Sequence, residues 1–297
     1  MASPETLTTM LHNWLTRHHI VLQKGQNLHI ILTLLWNYIL MLKLRIHKRL
    51  HGIRTPIVHY YCVCWNEERM LPFVFDYYSR FASHFTIYDN YSTDGSEALV
   101  NARPDAEMRK FGIKGVFDDS ENQRVKNHCW KQSRGKADWV VVCDTDEFVH
   151  HPDLQNHLAT LLKQGVSFPD VVGFEMYSLT YPTPEQGLIT DQVRRGYATD
   201  YMNKHLLFDP HRIVETQFTP GCHAASPLGI VRKGSETLKL LHYKYLGKAE
   251  VIARNRQLGK KLSDANKEQE MGFHYLLTEQ RMEQEFDRHY AETIEVI

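Results

Sequence analysis

Trp139-Val140-Val141-Val142-Cys143-Asp144-Thr145-Asp146-Glu147-Phe148 is a short apolar run that ends in three carboxylates. Its first five residues are apolar or soft and mostly favour extended structure. They predict a strand buried on both faces, as in a parallel sheet with helices above and below. Such a strand delivers its last residues to the carboxyl edge of the sheet, where open α/β folds bind ligands. Asp144 and Asp146 repel one another unless something positive sits between them, and a hard divalent cation carrying a phosphate group meets that need. The blander reading of the same residues is a solvated turn or the cap of a following helix. Pro152-Asp153 does open a helical pattern shortly afterwards.

The surrounding chain decides between these readings. Polar clusters follow each predicted strand in turn. Residues 57–64 form a first strand that ends at Asn66-Glu67-Glu68, and residues 70–81 carry helical spacing with Pro72 in the first turn. Residues 85–88 form a second strand, closing on Asp89-Asn90-Tyr91-Ser92-Thr93-Asp94-Gly95-Ser96. A helix through Val100, a strand over 115–117 ending at Asp118-Asp119, and a helix over 122–132 lead into the opening stretch. This alternation predicts a mainly parallel sheet with right-handed crossovers, so that all the polar clusters converge on one edge.

These motifs, in this order, resemble the glycosyltransferase family 2 type of GT-A enzyme, and within it the family 2-like and family 92-like branch whose metal motif reads Asp-x-Asp-Glu-Phe. The similarity covers residues 57–254. It implies an α/β, Rossmann-like GT-A fold with a central, mainly parallel sheet flanked by helices. It implies a nucleoside-diphosphate sugar as donor, bound with Mn²⁺ or Mg²⁺, and a hydroxyl of a glycan or glycoconjugate as acceptor. Asn66, Glu67, Asp89, Asn90 and Asp94 then line the nucleoside, with Asp89 similar to the carboxylate that accepts a hydrogen bond from the base. Asp144 contacts the ribose or the metal, Asp146 ligates the metal, and His242 resembles the histidine that completes the metal shell. Glu147 is either an orienting carboxylate behind the site or a helix-start carboxylate.

The chemistry is consistent with that implication. Breaking the anomeric bond of a sugar nucleotide leaves negative charge on the diphosphate, and a bound metal stabilises it as a Lewis acid. An inverting transfer also needs a carboxylate base. Glu175, on a predicted strand over 171–177, and Asp191, in an aperiodic stretch over 187–201, are the candidates, with Asp200 beside them. Arg194-Arg195 places arginine in that same stretch, which reads either as a loop closing over the donor or as a solvated connection. His223 resembles a second family histidine near the acceptor. Gln123, Arg124, Lys126, Asn127 and His128 read mostly as the solvated face of a helix, with Arg124 or Lys126 reaching a phosphate as the alternative that spacing does not support.

With 297 residues the chain can bury a large core, and its composition of 24% charged and 11% aromatic residues is that of a globular protein. A formal net charge of zero argues against nucleic acid as a partner. Five cysteines show no CxxC pair, so core thiols and a reducing, cytoplasmic setting are expected. The chain divides into an N-terminal helical segment (1–55), a catalytic domain (56–248) and C-terminal helices (249–297), the last with Val251, Ile252, Leu258 and Leu262 on one face and a second helix over 273–290. Residues 28–42 are the most apolar, and Lys43, Arg45, Lys48, Arg49 and Arg54 follow. Three readings of 28–54 stand open: a helix in a membrane interface, a marginal single-pass anchor, or a helix packed on protein. Two rival functions also stand. A nucleotidyltransferase acting on sugar phosphates would want a basic, glycine-rich loop where Asn66-Glu67-Glu68 is acidic. A non-catalytic nucleotide-sugar-binding or membrane interaction protein would keep the fold without the chemistry.

Overall fold

The computed structural model describes residues 13–23, 25–268 and 272–297; positions 1–12 of the expected N-terminal segment and 269–271 of the C-terminal one lie outside the described residues. A long helix α1 (Asn27–Leu50) precedes the alternating region of β1 (Val58–Cys64), α2 (Leu71–Tyr78), β2 (Ala82–Asp89), α3 (Ser96–Asn101), β3 (Ala106–Lys110), α4 (Asp119–His128) and β4 (Trp139–Asp144). After β4 come β5 (Glu147–His150), α5 (Leu154–Gln164), β6 (Val171–Ser178), β7 (Arg195–Ala198), β8 (Leu207–Phe208) and β9 (Leu238–Leu246). The chain ends on α6 (Lys248–Gly259), α7 (Glu279–Ala291) and β10 (Ile294–Glu295).

The architecture is mixed α/β, and the described residues form two five-stranded sheets and a small three-stranded one. The first sheet has the order β3-β2-β1-β4-β8. Its first four strands are parallel and β8 runs antiparallel to β4. Register carries Cys64 beside Asp89, Asp89 beside Lys110 and Val63 beside Asp144, so the polar clusters at three strand ends share one edge. Trp139 to Cys143 are fully buried, as a strand covered on both faces requires. All five cysteines are buried and free.

The second sheet, β10-β7-β6-β9-β5, begins where the first ends. Only Thr145 and Asp146 separate β4 from β5, so the three carboxylates occupy a corner at which the backbone passes from one sheet to the other. β5 pairs antiparallel with β9 and β9 pairs parallel with β6, which brings His242 beside both Glu147 and Glu175. Aromatic packing fixes the corner from below, with Phe148 edge-on to Tyr77 at 5.2 Å and to Tyr243 at 5.2 Å between ring centroids.

Four sequence expectations change here. The third strand is β3, not 115–117, where Phe117 makes only an isolated bridge to Leu262. As the outer strand of the parallel set β3 needs no continuous apolar run, and its charges pair across the surface, Arg109 with Glu107 at 2.6 Å and Lys110 with Asp89 at 2.7 Å. Asp118 therefore does not end a strand; its carboxylate accepts from the Ser120 N–H at 2.8 Å and caps α4, which starts earlier than expected. The stretch 187–201 is not aperiodic, since it holds a short helix (Ile189–Gln192) and β7, and β10 pairs with β7 near the chain end. Residues 273–290 split into a 3₁₀ turn and α7 rather than one helix.

Part-buried histidines add a pH dependence. Burial, aided by His84 and Lys136, pushes His59 down to about 4. Burial together with Lys239 does the same to His150, to about 4, and burial with Lys244 takes His274 to about 3. Each binds fewer protons folded than unfolded between these values and the ordinary 6.5. Their contribution is thus present above pH 6.5 and is lost as the pH falls through about 4. The melting temperature is expected to drop on acidification across that window, more shallowly in His59→Gln. A melting temperature flat across it would contradict the assignment.

Candidate active site

The corner at the end of β4 gathers four carboxylates and three cations. Lys126, from α4, is buried and donates to Asp144 Oδ1 at 2.7 Å. Glu147 is fully buried; its Oε2 accepts from the Asp144 N–H at 2.8 Å and its Oε1 accepts from Lys204 Nζ at 2.6 Å. His242 Nε2 lies 3.4 Å from Asp146 Oδ2, and its Nδ1 lies 2.7 Å from Glu175 Oε2. The backbone locks the corner as well, because the Tyr243 N–H donates to the Asp146 carbonyl at 2.7 Å and the Tyr78 hydroxyl donates to the Glu147 carbonyl at 2.9 Å. Asp144 and Asp146 keep 34% and 27% of their side chains exposed, so these two alone of the four carboxylates open appreciably to solvent.

The electrostatics follow from burial against pairing. Burial works against a charged imidazole, yet Glu175 and Asp146 together push His242 up to about 10. Burial would raise Asp146, but His242 holds its carboxyl well below the usual carboxylate range. Glu147 is likewise driven up by burial and brought net down by Lys204 and Lys126. Glu67 is raised to about 7 by burial, which Arg254 opposes and the nearby Asp146, Asp94 and Asp144 reinforce. Burial and the charge of Asp144 raise Asp119 too, so the capping loop of α4 reaches the same corner although no strand ends there.

The loops after β1 and β2 hold one another. Asn66 sits at φ 52° and Tyr91 at φ 55°, a left-handed conformation that asparagine adopts more readily than most residues. Asn66 Oδ1 accepts from the Thr93 N–H at 2.7 Å, the Asn66 N–H donates to Ser92 Oγ at 2.8 Å, and the Glu67 N–H donates to Ser96 Oγ at 2.8 Å. Asp94 accepts from the Glu68 and Ser96 N–H groups, each at 3.0 Å. Asp89 is fully buried and accepts from Lys110 at 2.7 Å, from the Ser92 N–H and from the Ser92 hydroxyl, so both of its oxygens are engaged within the protein. The Asn90 N–H donates to the Cys64 carbonyl at 2.8 Å. Arg254 of α6 pairs with Glu67 and donates to the Trp65 and Asn66 carbonyls at 2.8 and 3.3 Å.

Asp144, Asp146, Glu67, Glu175 and His242 therefore come together, with Asn66, Asp89, Asn90 and Asp94 on the adjoining loops. Asp191 is exposed on its short helix. His242 lies in the middle of β9 rather than at its end. His223 stacks on Tyr201 with ring centroids 3.6 Å apart, and burial with nearby Lys204 pushes it down to about 4. Sequence reasoning missed Lys204 and Arg254 and placed Lys126 on a solvated face. The one available signal for Lys126 was its place next to Val125, on the stripe of α4 that the sheet buries. Among the described residues, His151, His157 and Glu236 also bring ligand atoms within 4.8 Å of one another, with the two rings stacked at 4.1 Å.

No family model matches the chain. It is 33% identical over 107 residues to a glycosyltransferase family 92 protein of Ricinus communis, covering 34% of this chain and 19% of that protein. It is 32% identical over 101 residues to a glycosyltransferase family 92 protein of Oryza sativa subsp. japonica, covering 33% and 17%. The chain thus spans less than a fifth of the length of these curated relatives. Among solved structures, S. aureus TarS in complex with UDP-GlcNAc is similar over 79% of this chain and 72% of its own, at 11% identity and a TM-score of 0.37. A further TarS structure gives 68% and 38%, 9% identity and a TM-score of 0.35.

The buried pairs predict a sharp contrast in stability. Replacing Lys204 by Met leaves Glu147 buried without its closest cation and is expected to cost about 3 kcal/mol. Arg124→Ala removes only a surface pair with Glu121 and is expected to cost well under about 1 kcal/mol. Urea unfolding of both variants checks this, and equal stabilities would contradict the buried network.

Proposed function

We propose that the chain is a metal-dependent, inverting glycosyltransferase of GT-A type, moving a sugar from a nucleoside-diphosphate sugar to a hydroxyl of a glycan or glycoconjugate. The observation that carries this reading is the meeting of Asp146 and His242 at 3.4 Å, with Glu175 hydrogen-bonded to the far side of the imidazole. A carboxylate behind a histidine fixes its tautomer and aims the other nitrogen, an arrangement typical of metal ligands. The donor set of one imidazole and one or two carboxylates suits Mn²⁺ as well as zinc. The local family 92 similarity supports the same reaction class.

Asp146 and His242, with the open side of Asp144, would hold the ion. When bound, it would supply Lewis-acid stabilisation of the charge that develops on the departing diphosphate. The chain's own residues do the rest. Lys126 and Lys204 oppose the burial that raises the Asp144 carboxyl, and they hold that of Glu147 below its ordinary value. Asn66, Glu67, Asn90 and Asp94 form the nucleoside wall. Asp89, its oxygens already engaged, contributes by fixing the Ser92 turn of that wall. Glu175 serves His242 as a positioning residue, and a base role for it would require leaving that partner. Asp191 would reach an acceptor only at the rim of the site.

The test is a screen of UDP- and GDP-sugars for transfer or hydrolysis with Mn²⁺, repeated on Asp146→Ala and Glu175→Gln. Asp146→Ala is expected to lose at least about 100-fold in rate, and Glu175→Gln to lose about 10-fold or more in metal affinity. Failure of every nucleotide sugar to bind, or full activity in Asp146→Ala, would overturn the reading.

A further inference from the structure

α1 is 24 residues long, about 36 Å of helix, and it lies against the domain along nearly all of that length. Ile30, Asn37 and Leu44 form its buried line, Asn37 Nδ2 donates to the His211 carbonyl at 3.1 Å, and Lys48 pairs with Asp138. The opposite face is apolar. Leu28, Leu32, Leu35, Ile39, Leu42 and Ile46 recur at helical spacing and are 70, 55, 59, 55, 38 and 61% exposed. Single exposed apolar residues need no explanation, but a continuous stripe of this length marks a contact surface.

Two observations identify what covers it. Residues 6–66 hold seven Lys and Arg and no Asp or Glu, in a chain whose formal net charge is zero. Lys43, Arg45 and Arg49 are exposed along the second half of α1, so the surface pairs an apolar stripe with positive charge. Beside the stripe, a groove of about 550 Å³ runs between Leu32, Trp36 and Leu40 on one wall and Lys131, Gln132 and Arg134 on the other. Asn37 Oδ1 and Gln132 Nε2, both lining it, are buried without hydrogen-bond partners. An occupant with an apolar body and an anionic head matches the exposed apolar stripe and the Lys43, Arg45 and Arg49 charges beside it. The contacts also fix the orientation. From Ile30 to Lys48 they extend about 27 Å along the axis, close to the ~30 Å of a bilayer's hydrocarbon, so a spanning helix would drag Asp138 and Arg134 into hydrocarbon.

We propose that α1 lies in the plane of an anionic phospholipid membrane, with its outward leucines and isoleucines among the upper acyl chains and Lys43, Arg45 and Arg49 against lipid phosphates. This inference is independent of the transferase reading. Asp138, which holds Lys48, immediately precedes β4, whereas Asp144 ends it. The membrane-facing helix and the carboxylate corner therefore mark opposite ends of one strand, about 20 Å apart.

Flotation of the full chain with phosphatidylcholine vesicles, with and without phosphatidylserine, tests it. Binding is expected to favour the phosphatidylserine vesicles and to weaken with added salt. Leu35→Glu with Ile39→Glu is expected to reduce binding at least tenfold with unchanged circular dichroism, since both side chains already face outward. Lys43→Glu with Arg49→Glu is expected to abolish the preference for phosphatidylserine. Three results would overturn the proposal: no flotation with either vesicle, retention of the chain in membranes through alkaline carbonate extraction as for a spanning helix, or a dimer dispersed by Leu35→Glu with Ile39→Glu in a chain that binds no vesicle.

Discussion

Everything at the candidate site depends on neutralising charge where the backbone turns from β4 into β5. Asp144, Asp146 and Glu147 arrive there within four residues, and Glu175 joins them through β9. Unpaired, such a group would cost several kcal/mol per buried ion. Lys126, Lys204 and His242 offset much of that cost, and Asp144 and Asp146 meet solvent on the open side of the corner. On the proposed reading, the cation binds at that open side. The network also ties the two sheets together, since Lys204, from the segment before β8 of the first sheet, pairs with Glu147 on β5 of the second.

Much of this was legible in the sequence, for identifiable reasons. Trp139 to Cys143 read as a doubly buried strand, and the alternation from β1 to β4 predicted parallel pairing, so the convergence of Glu67, Asp94 and Asp146 on one edge was an expectation of topology. β3 was not legible, because an edge strand such as Ala106-Glu107-Met108-Arg109-Lys110 needs no apolar pattern when its neighbours cover one side. Asp118-Asp119 looked like another strand end and is a helix cap, a distinction set by one hydrogen bond to Ser120. Lys204 was invisible for a different reason. Its importance comes from a contact across 57 residues with Glu147, and no local pattern encodes such a partner.

The same contrast separates Glu175 from Asp191. Both are carboxylates in the right part of the chain, and sequence offers no way to rank them. Parallel register places Glu175 directly beside His242 on β9, which commits it to the imidazole. Asp191, at the surface, is left to the solvent. Asp89 shows the reverse lesson: the residue is where the resemblance expects it, but its burial and its bonds to Ser92 and Lys110 turn it inward.

The most direct measurement is anomalous diffraction from crystals of the chain grown with Mn²⁺ and a nucleoside diphosphate. A manganese peak within coordination distance of Asp146 and His242, with the nucleotide lying along the loops of Asn66 and Asp94, is the expected result. A peak confined to His151, His157 and Glu236, or no ordered ion at the β4–β5 corner while nucleotide is bound, would contradict the metal-assisted transferase reading.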